Sequence, residues 1–387
     1  MRILFGPMVG GRGLGPLTRC LAVADEARKR GHQVHFLIKE TFVQLVQRFG
    51  YEWTLAAEPR MRDNTISCPD TWSDIAAYLG LTQTEFLNEA LQIEKELTHK
   101  FRPDWVFIES NVSLPLTCIR EGIPFASTYS WADAPALQLQ TQKVTSGLAP
   151  NATAQHNLYL EKCGSTSILD LSELVTQFAK MVVIPSIPSL QPEVSSNSRF
   201  TFVGHLLFDA LEYAALSAKG KEGFNNGLRV YAYLATSDLR ESVWAKALEH
   251  VCAVPGVSVL TITKNHRSHV HNCVAQAWLP GGTVMSMADI SLHAGTANTM
   301  MLAVQHKVPQ IMLPLSDSER RYNSEQVVRC GAGLIIDQDC IEDPEQLRHL
   351  LLTTHKRESI RLAATRLQQE AQQCRGPQLV MDKIENI

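Results

Sequence analysis

Apolar residues along the chain follow two alternating patterns. Short, nearly continuous apolar runs are typical of strands buried on both faces, and between them apolar residues recur every three or four positions, as they do in helices. The runs predict strands at 3–8, 34–38, 105–109, 125–128, 182–185, 200–204, 229–234, 258–262, 290–293, 310–313 and 334–336. Helices are predicted near 17–30, 83–100, 114–121, 239–252, 297–306 and 320–330, and over the C-terminal end.

This alternation predicts parallel sheets covered by helices on both faces. A chain of 387 residues suits two domains of common size. The polar, glycine-rich segment 215–227 is the best linker. The predicted domains are therefore 1–214 and 228–365, followed by a C-terminal helix at 366–387 that crosses back. Segments 83–100 and 131–170 interrupt the alternation of strands and helices and are predicted to be insertions or lids. The periodicity alone fits other two-domain α/β proteins equally well.

Composition narrows the class of protein. Hydrophobic residues make up 45% of the chain and charged residues 19%, enough for a core in each domain. A formal net charge of -3 without a long basic run argues against nucleic acid as the main partner. Nine cysteines without a CxxC pair are typical of reduced thiols in a cytoplasmic protein. The N-terminal apolar run is too short for a signal peptide, and no run approaches the roughly 20 apolar residues of a membrane span. A homodimer is left open.

The segment 288–336 carries the strongest chemical signal. It predicts a strand, a turn of small residues, a helix, a second strand and a polar loop. Gly295, Thr296 and Thr299 fall where the turn opens the helix, so backbone N–H groups and hydroxyls gather at its positive end. Such a helix start is a natural seat for a diphosphate. An ordinary strand–helix turn capped by Thr or Asn explains these residues about as well, so the turn alone does not decide.

The longer run resembles the donor motif of the glycosyltransferases that use UDP- and dTDP-sugars on natural products, lipids and plant metabolites. That motif reads approximately Asp-x-x-x-x-His-Gly-Gly-x-Gly-Thr-x-x-Glu-Ala-Leu-x-x-Gly-Val-Pro, with Asp/Glu-Gln and Gly-x-Gly further on. The family has the GT-B fold, in which two doubly wound, Rossmann-like domains face a cleft, and the resemblance implies this fold here. Aligned from Asp289, the chain keeps Gly295, Thr299, Ala303, Val308, Pro309, Pro314, Asn323, Val327, Gly331 and Gly333.

The chain departs from this motif at several donor contacts. Ala294 stands at the phosphate-contacting histidine, and the adjacent His293 is the candidate for that role. Thr296 and Asn298 replace glycines of the motif. Leu302 replaces the glutamate that commonly holds the ribose. The resemblance therefore implies the overall donor site, with altered individual contacts.

The sugar and the base of the donor have their own candidates. The sugar-contacting Asp/Glu-Gln pair of the family corresponds to Glu319-Arg320, one residue later than in the motif. Asp317 is an alternative candidate for the carboxylate. Upstream, Trp278-Leu279 resembles the family segment whose aromatic ring stacks on the base. A tryptophan buried at a strand end is the simpler alternative. Ser237 follows the strand at 229–234 and matches a loop that touches the diphosphate.

The N-terminal loop resembles the acceptor-side loop of the same family, and its candidates are Gly11, Arg12 and Gly13. In inverting members a histidine after the second glycine acts as general base. Pro16 stands there in this chain, and proline takes up no proton. Asp133 is the best replacement, because it lies just past a strand end, where open α/β sheets bind ligands. Glu109 is the second candidate. A simpler alternative for both Asp133 and Glu109 is an acidic side chain in a solvated loop or at a helix cap.

These features predict an inverting glycosyltransferase that needs no cofactor and no metal. The C-terminal domain would hold a UDP- or dTDP-sugar, and the N-terminal domain a small-molecule acceptor. No metal-binding or nucleophile spacing appears, and His266, His269 and His271 lie on a polar loop. Two alternatives stay open. A catalytically impaired, glycosyltransferase-shaped partner protein would explain Pro16 and Leu302. A nucleotide-sugar epimerase on the same fold would need paired carboxylates beside the sugar.

Overall fold

Two compact units make up the protein, seen here in a computed structural model. The structure describes residues 1–10, 13–60, 72–130, 152–194, 199–215, 227–234, 241–252, 256–262, 273–276, 279–315 and 317–387. The first unit consists of Met1–Pro185, Glu193–Phe208 and Arg375–Ile387. The second consists of Ser186–Pro192 and Asp209–Cys374.

A parallel sheet forms the centre of the first unit. Its strands are β1 (Arg2–Pro7), β2 (Gln33–Ile38), β3 (Glu52–Leu55), β4 (Trp105–Glu109), β5 (Phe125–Thr128), β6 (Met181–Ile184) and β7 (Phe200–Phe202). They lie in the order β3-β2-β1-β4-β5-β6-β7, and every neighbouring pair is parallel. The ring of Phe5 lies 5.3 Å from that of Phe36 and 5.7 Å from that of Phe107, centroid to centroid. Aromatic packing across the three central strands thus anchors this sheet.

Helices cover both faces of the first sheet. They are α1 (Gly15–Lys29), α2 (Val43–Arg48), α3 (Trp72–Tyr78), α4 (Thr84–Phe101), α5 (Leu114–Glu121), α6 (Ala154–Lys162) and α7 (Glu173–Phe178), with a 3₁₀ turn at Glu40–Phe42. The prediction that 83–100 is an insertion or lid is wrong. Phe86, Leu87 and Ala90 of α4 are buried in one cluster with Leu116 of α5. The apolar stripe of α4 faces the body of its own domain, so this helix is part of the core.

The second unit repeats the architecture with a six-stranded sheet. Its strands are β8 (Leu228–Tyr233), β9 (Val257–Ile262), β10 (Cys273–Gln276), β11 (Ile290–His293), β12 (Gln310–Met312) and β13 (Gly333–Ile335). They lie in the order β10-β9-β8-β11-β12-β13, again all parallel. Val259, Ile290 and Ile311 lie in its core together with Leu248 and Leu347 from the covering helices.

The helices of the second unit connect these strands and pack on the sheet. They are α8 (Asp209–Glu212), α9 (Glu241–Cys252), α10 (Gly281–Met287), α11 (Ala297–Gln305), α12 (Ser318–Arg329), α13 (Gln338–Glu342), α14 (Pro344–Lys356) and α15 (Glu358–Gln373), with a 3₁₀ turn at Pro188–Leu190. The predicted domain 1–214 included 186–192 and 209–214, which belong here to the second unit. Of the predicted linker, residues 216–226 lie outside the described residues.

The C-terminal helix α16 (Pro377–Asn386) returns to the first unit, as the sequence predicted. Arg30 at the end of α1 donates from Nη1 to Asp382 and to Glu385, at 2.8 Å each. His32 lies 2.7 Å from Glu385 through its Nε2 atom. The predicted single helix at 366–387 is in fact two, α15 and α16. They are separated at Gly376, whose φ of +53° favours glycine.

The doubly wound α/β class predicted from the sequence is confirmed in both units. The strands that were missed, β3 and β10, lie at the edges of the two sheets, where a strand is covered on fewer sides and its apolar signal is weaker. The strand order reverses between β1 and β4 in the first sheet and between β8 and β11 in the second. Open α/β sheets bind ligands beyond the carboxyl ends of the strands at such points. Within the ranges described, no helix is long and apolar enough to cross a membrane.

Candidate functional site

The turn between β11 and α11 lies at the reversal point of the second sheet. Gly295 has a φ of +82°, a conformation that L side chains rarely adopt. A Cβ at this position would lie 2.4 Å from Oγ of Ser324 and 2.7 Å from the backbone oxygen of Arg320. The turn is therefore pressed against α12, and only glycine fits both the backbone and the space.

Two threonine hydroxyls lie at the start of α11. Thr296 occupies the N-cap position, but its side chain makes no capping hydrogen bond. Its hydroxyl instead lies 3.1 Å from the hydroxyl of Thr299, which is buried. Asn298 in the same turn is half-buried. The free N–H groups at the start of this nine-residue helix therefore lie beside two hydroxyls, an arrangement suited to binding a negatively charged oxygen.

His293 is held inside the domain. Its Nδ1 accepts the N–H of Gly295 at 3.1 Å, and its Nε2 donates to Oε1 of Gln310 at 3.0 Å. Burial lowers the pKa of His293 to about 4, so the ring is neutral at physiological pH. Both ring nitrogens are thus occupied by the protein itself. His293 thus orients the Gly295 turn, and its expected contact with a phosphate stays a prediction.

The first turn of α12 lies beside the same loop. Asp317 is its N-cap and accepts the N–H of Arg320 through Oδ1 at 2.9 Å, so this expected sugar contact serves as a helix cap. Glu319 is exposed, 3.5 Å from the amide of Asn323. Asn323 also donates to the backbone oxygen of Gly295 at 3.2 Å. The side chain of Arg320 is only 13% exposed and brings a cation to this side of the turn.

A carboxylate that the sequence did not point to lies at the start of α10. Glu212, the last residue of α8, accepts the N–H of Gly282 through Oε2 at 3.2 Å. A Cβ on Gly281 would lie 2.7 Å from this oxygen and 3.1 Å from Cδ1 of Leu302. Glu212 is remote in sequence from the donor motif, and no local pattern marks it. Leu279, just before α10, is buried, whereas Trp278 and Ser237 lie outside the described residues.

The loop after β1 was the expected acceptor side. Gly13 is exposed, and Gly11 and Arg12 lie outside the described residues. Pro16 lies in the first turn of α1, where its missing N–H costs no hydrogen bond and its fixed φ favours the helix. The position of the expected base thus serves the start of a helix. Asp133 also lies outside the described residues.

Glu109, the second candidate base, is buried at the end of β4 and paired with α1. Its Oε1 accepts from Nη2 of Arg19 at 2.6 Å, and the carboxylate is 2% exposed. The hydroxyl of Ser110 also lies 3.2 Å from Oε1. The carboxylate of Glu109 is therefore held inside the first unit by Arg19.

Metal-binding clusters were also sought. Among the residues that the structure describes, no group of three His, Cys, Asp or Glu side chains could hold a metal ion. His266, His269 and His271 lie outside this set.

Comparison with known proteins finds a similarity in the second half of the chain. Residues 245–387 match the family model of the C-terminal domain of erythromycin biosynthesis protein CIII-like proteins. This match includes the Gly295 turn, α11 and α12. The C-terminal part of the chain is thus similar to this domain family. No curated protein sequence matches it.

Solved structures similar to this GT-B protein share its fold over the full length. The calicheamicin glycosyltransferase CalG4 is 19% identical, with a TM-score of 0.76 over 100% of this chain and 97% of the other. The spinosyn rhamnosyltransferase SpnG, complexed with thymidine diphosphate, is 17% identical, with a TM-score of 0.74 over 100% of both chains. The glycosyltransferase SnogD from Streptomyces nogalater is 18% identical, with a TM-score of 0.71 over 100% and 99%.

Proposed function

We propose that the protein transfers a sugar from a UDP- or dTDP-linked donor to a small-molecule acceptor, with inversion and without a metal. The observation that carries this proposal is the Gly295 turn at the reversal point of the second sheet, inside a domain that matches an EryCIII-like family. Structures similar to the chain are described as glycosyltransferases of natural products, and one of them contains thymidine diphosphate.

The turn supports a diphosphate seat. The N-terminal N–H groups of α11 carry the positive end of the helix dipole. The hydroxyl of Thr296 donates to that of Thr299 at 3.1 Å, which leaves the Thr299 hydroxyl as a donor for a ligand. Arg320 also lies in this region, with its N–H and its guanidinium both held by Asp317, the latter at 3.4 Å. These fixed donors and dipoles would stabilise the negative charge that develops on the diphosphate as it leaves.

The acceptor would bind to the first unit, beside the loops that follow its strands. In the reaction a base removes the proton of an acceptor hydroxyl, and the oxygen attacks the anomeric carbon of the sugar. The bond from that carbon to the diphosphate breaks, and the nucleoside diphosphate departs. For the base we propose Asp133, since Pro16 has no titrating group and Glu109 is held by Arg19. The aromatic and apolar residues that follow Trp131 would favour an organic acceptor.

A thermal-shift experiment tests the donor site. Uridine or thymidine diphosphate should raise the melting temperature of the wild-type protein, and Thr299→Ala should weaken that rise, since a hydrogen bond to a charged group is worth about 1.5–3 kcal/mol. Trp278→Ala should weaken it as well, through loss of base stacking. Thr353→Ala is the matched control, because that hydroxyl bonds to the backbone of its own helix. If neither Thr299→Ala nor Trp278→Ala changes the rise, the site lies elsewhere.

Turnover tests the chemistry. The protein is incubated with a panel of UDP- and dTDP-sugars and natural-product acceptors, and released nucleoside diphosphate is measured. Acceptor-dependent release, with a glycosylated product, is the expected result. Firm nucleotide binding without release from any donor would favour a non-catalytic partner protein instead.

A further inference from the structure

Glu212 is a half-buried carboxylate without a cation. Within the described residues it makes no ion pair, and its one hydrogen bond comes from the N–H of Gly282 at 3.2 Å. Burial raises the pKa of Glu212; the Gly282 hydrogen bond opposes this rise, and Asp209 adds to it. Withdrawing a carboxylate from water costs free energy unless partners compensate. One backbone N–H satisfies only part of its acceptor capacity, so the carboxylate has capacity left for a ligand.

Gly281, at the start of α10, is packed against the carboxylate of Glu212. Any side chain at position 281 would overlap with Oε2, because a Cβ there would lie only 2.7 Å away. That same Cβ position lies 3.1 Å from Cδ1 of Leu302 on α11. Gly281 and Leu302 offer no hydrogen-bonding side chain. Glu212 therefore brings a carboxylate to the start of α10, where Gly281 and Leu302 bring no acceptor.

This junction lies between the proposed contacts of the two ends of a nucleotide. Leu302 is one turn beyond Thr299 on α11, where the diphosphate is proposed to sit. Gly281 begins α10, directly after the segment of Trp278 and Leu279 proposed for the base. A ribose joins the base to the diphosphate, so it would lie over this junction. Its hydroxyls require acceptors, and a carboxylate is the side chain that typically accepts from ribose hydroxyls in α/β nucleotide sites.

We propose that Glu212 accepts hydrogen bonds from the sugar hydroxyls of the donor's nucleoside, which are the 2′- and 3′-hydroxyls of uridine or the single 3′-hydroxyl of thymidine. The proposal rests on the proposed function, since it requires a nucleotide at the Gly295 turn. It assigns ribose recognition to a residue from α8, outside the donor motif.

Ribose hydroxyls and Glu212 can be removed independently, which allows a double-mutant cycle. Affinities of uridine diphosphate and thymidine diphosphate, each with its 2′,3′-dideoxy counterpart, are measured by calorimetry. The proteins are wild type, Glu212→Gln and Glu212→Ala. The glutamine retains an acceptor for Gly282, so this variant keeps the local fold. Asp209→Asn is the matched control, since Asp209 is an exposed carboxylate on the same helix.

The wild type and Asp209→Asn should bind the natural nucleotide at least about tenfold more tightly than its dideoxy counterpart, as expected for hydrogen bonds to a charged group. In both Glu212 variants this preference should largely disappear, with little change in affinity for the dideoxy nucleotide. If the Glu212 variants lose affinity equally for the natural and the dideoxy nucleotides, Glu212 has a purely structural role. If the variants keep the wild-type preference for the natural nucleotide, Glu212 does not contact the sugar hydroxyls. Either result overturns the assignment of Glu212. Failure of the wild type to bind any of the four nucleotides would overturn the proposed function itself.

Discussion

The guanidinium of Arg19 lies 2.6 Å from the carboxylate of Glu109, and their side chains are 14% and 2% exposed. This ion pair joins α1 to the end of β4 at the reversal point of the first sheet. Glu109 raises the pKa of the neighbouring, fully buried Cys20, in addition to the larger effect of burial. The pair is thus a buried electrostatic link between a helix and the strand beneath it.

Removing Arg19 should strongly destabilise the first unit. Arg19→Ala leaves the Glu109 carboxylate buried without its cation, and breaking a buried ion pair from one side typically costs about 3–5 kcal/mol. Urea unfolding measures this loss. Lys29→Ala on the same helix is the control. The Lys29 side chain is 62% exposed, so its ion pair with Asp25 should contribute little to the free energy of unfolding. Arg19→Ala combined with Glu109→Gln should lose less stability than the sum of the single changes; additivity would mean that the pair is not coupled.

Gly295→Ala should reduce both stability and nucleotide binding. The added methyl meets Ser324 and Arg320, and the φ of +82° is itself unfavourable for alanine by about 1–2 kcal/mol. Gly256→Ala is a matched control, since Gly256 has the same φ of +82° and open space where the Cβ would lie. Only Gly295→Ala should lower affinity for uridine or thymidine diphosphate in calorimetry. Equal behaviour of the two variants would mean that the contact with α12 does not shape the site.

Glu94 should make stability depend on pH. It is buried among the hydroxyls of Ser113 and Thr117, and burial raises its pKa to about 7 from the ordinary 4.5, although both hydroxyls oppose the rise. The folded state therefore holds this proton more tightly than the unfolded state does. The resulting stabilisation is complete below about pH 4.5 and is lost as the pH rises through about 7, by roughly 3 kcal/mol.

The Glu94→Gln variant isolates this contribution. Its amide does not titrate, so the fall in unfolding free energy between pH 4.5 and 8 should be smaller than in the wild type. Glu89→Gln, an exposed substitution on the same helix, should keep the wild-type slope. Chemical denaturation at several pH values gives the comparison. Parallel slopes in wild type and Glu94→Gln would contradict the raised pKa of Glu94.

Asp133→Asn should lower turnover at least about tenfold, which corresponds to a barrier increase near 1.4 kcal/mol, while nucleotide affinity is unchanged. General-base catalysis typically contributes about 10²–10⁴ in rate, and proline at position 16 cannot supply it. Steady-state rates and calorimetry on an active donor–acceptor pair measure the two quantities. Near-normal turnover would exclude Asp133 and leave either Glu109 or an acidic acceptor as the explanation for catalysis without a base at position 16.

The central strands were predictable to within about one residue because they are buried on both faces and read as continuous apolar runs. The same reasoning found the turn of Gly295, Thr296 and Thr299, since strand end, small residues and helix start are all local features. The sequence-based prediction failed for α4. An apolar stripe shows that one face of a helix is buried, but it does not show which part of the protein covers that face. The prediction also did not find the partners of His293, because Gly295 and Gln310 are brought to this ring only when β11 and β12 lie side by side.

By itself, the sequence determined the parallel α/β class, the glycine turn at the start of α11 and the lack of a titrating group at position 16. Each depends on residues close together in the chain, where spacing and backbone preference act directly. Tertiary structure decided which polar groups remain for a ligand. It paired Glu109 with Arg19, turned His293 inward, used Asp317 as a cap and brought Glu212 to Gly282, 70 residues away. Such pairings follow from the packing of distant elements, because hydrogen bonds and ion pairs act over only a few ångströms.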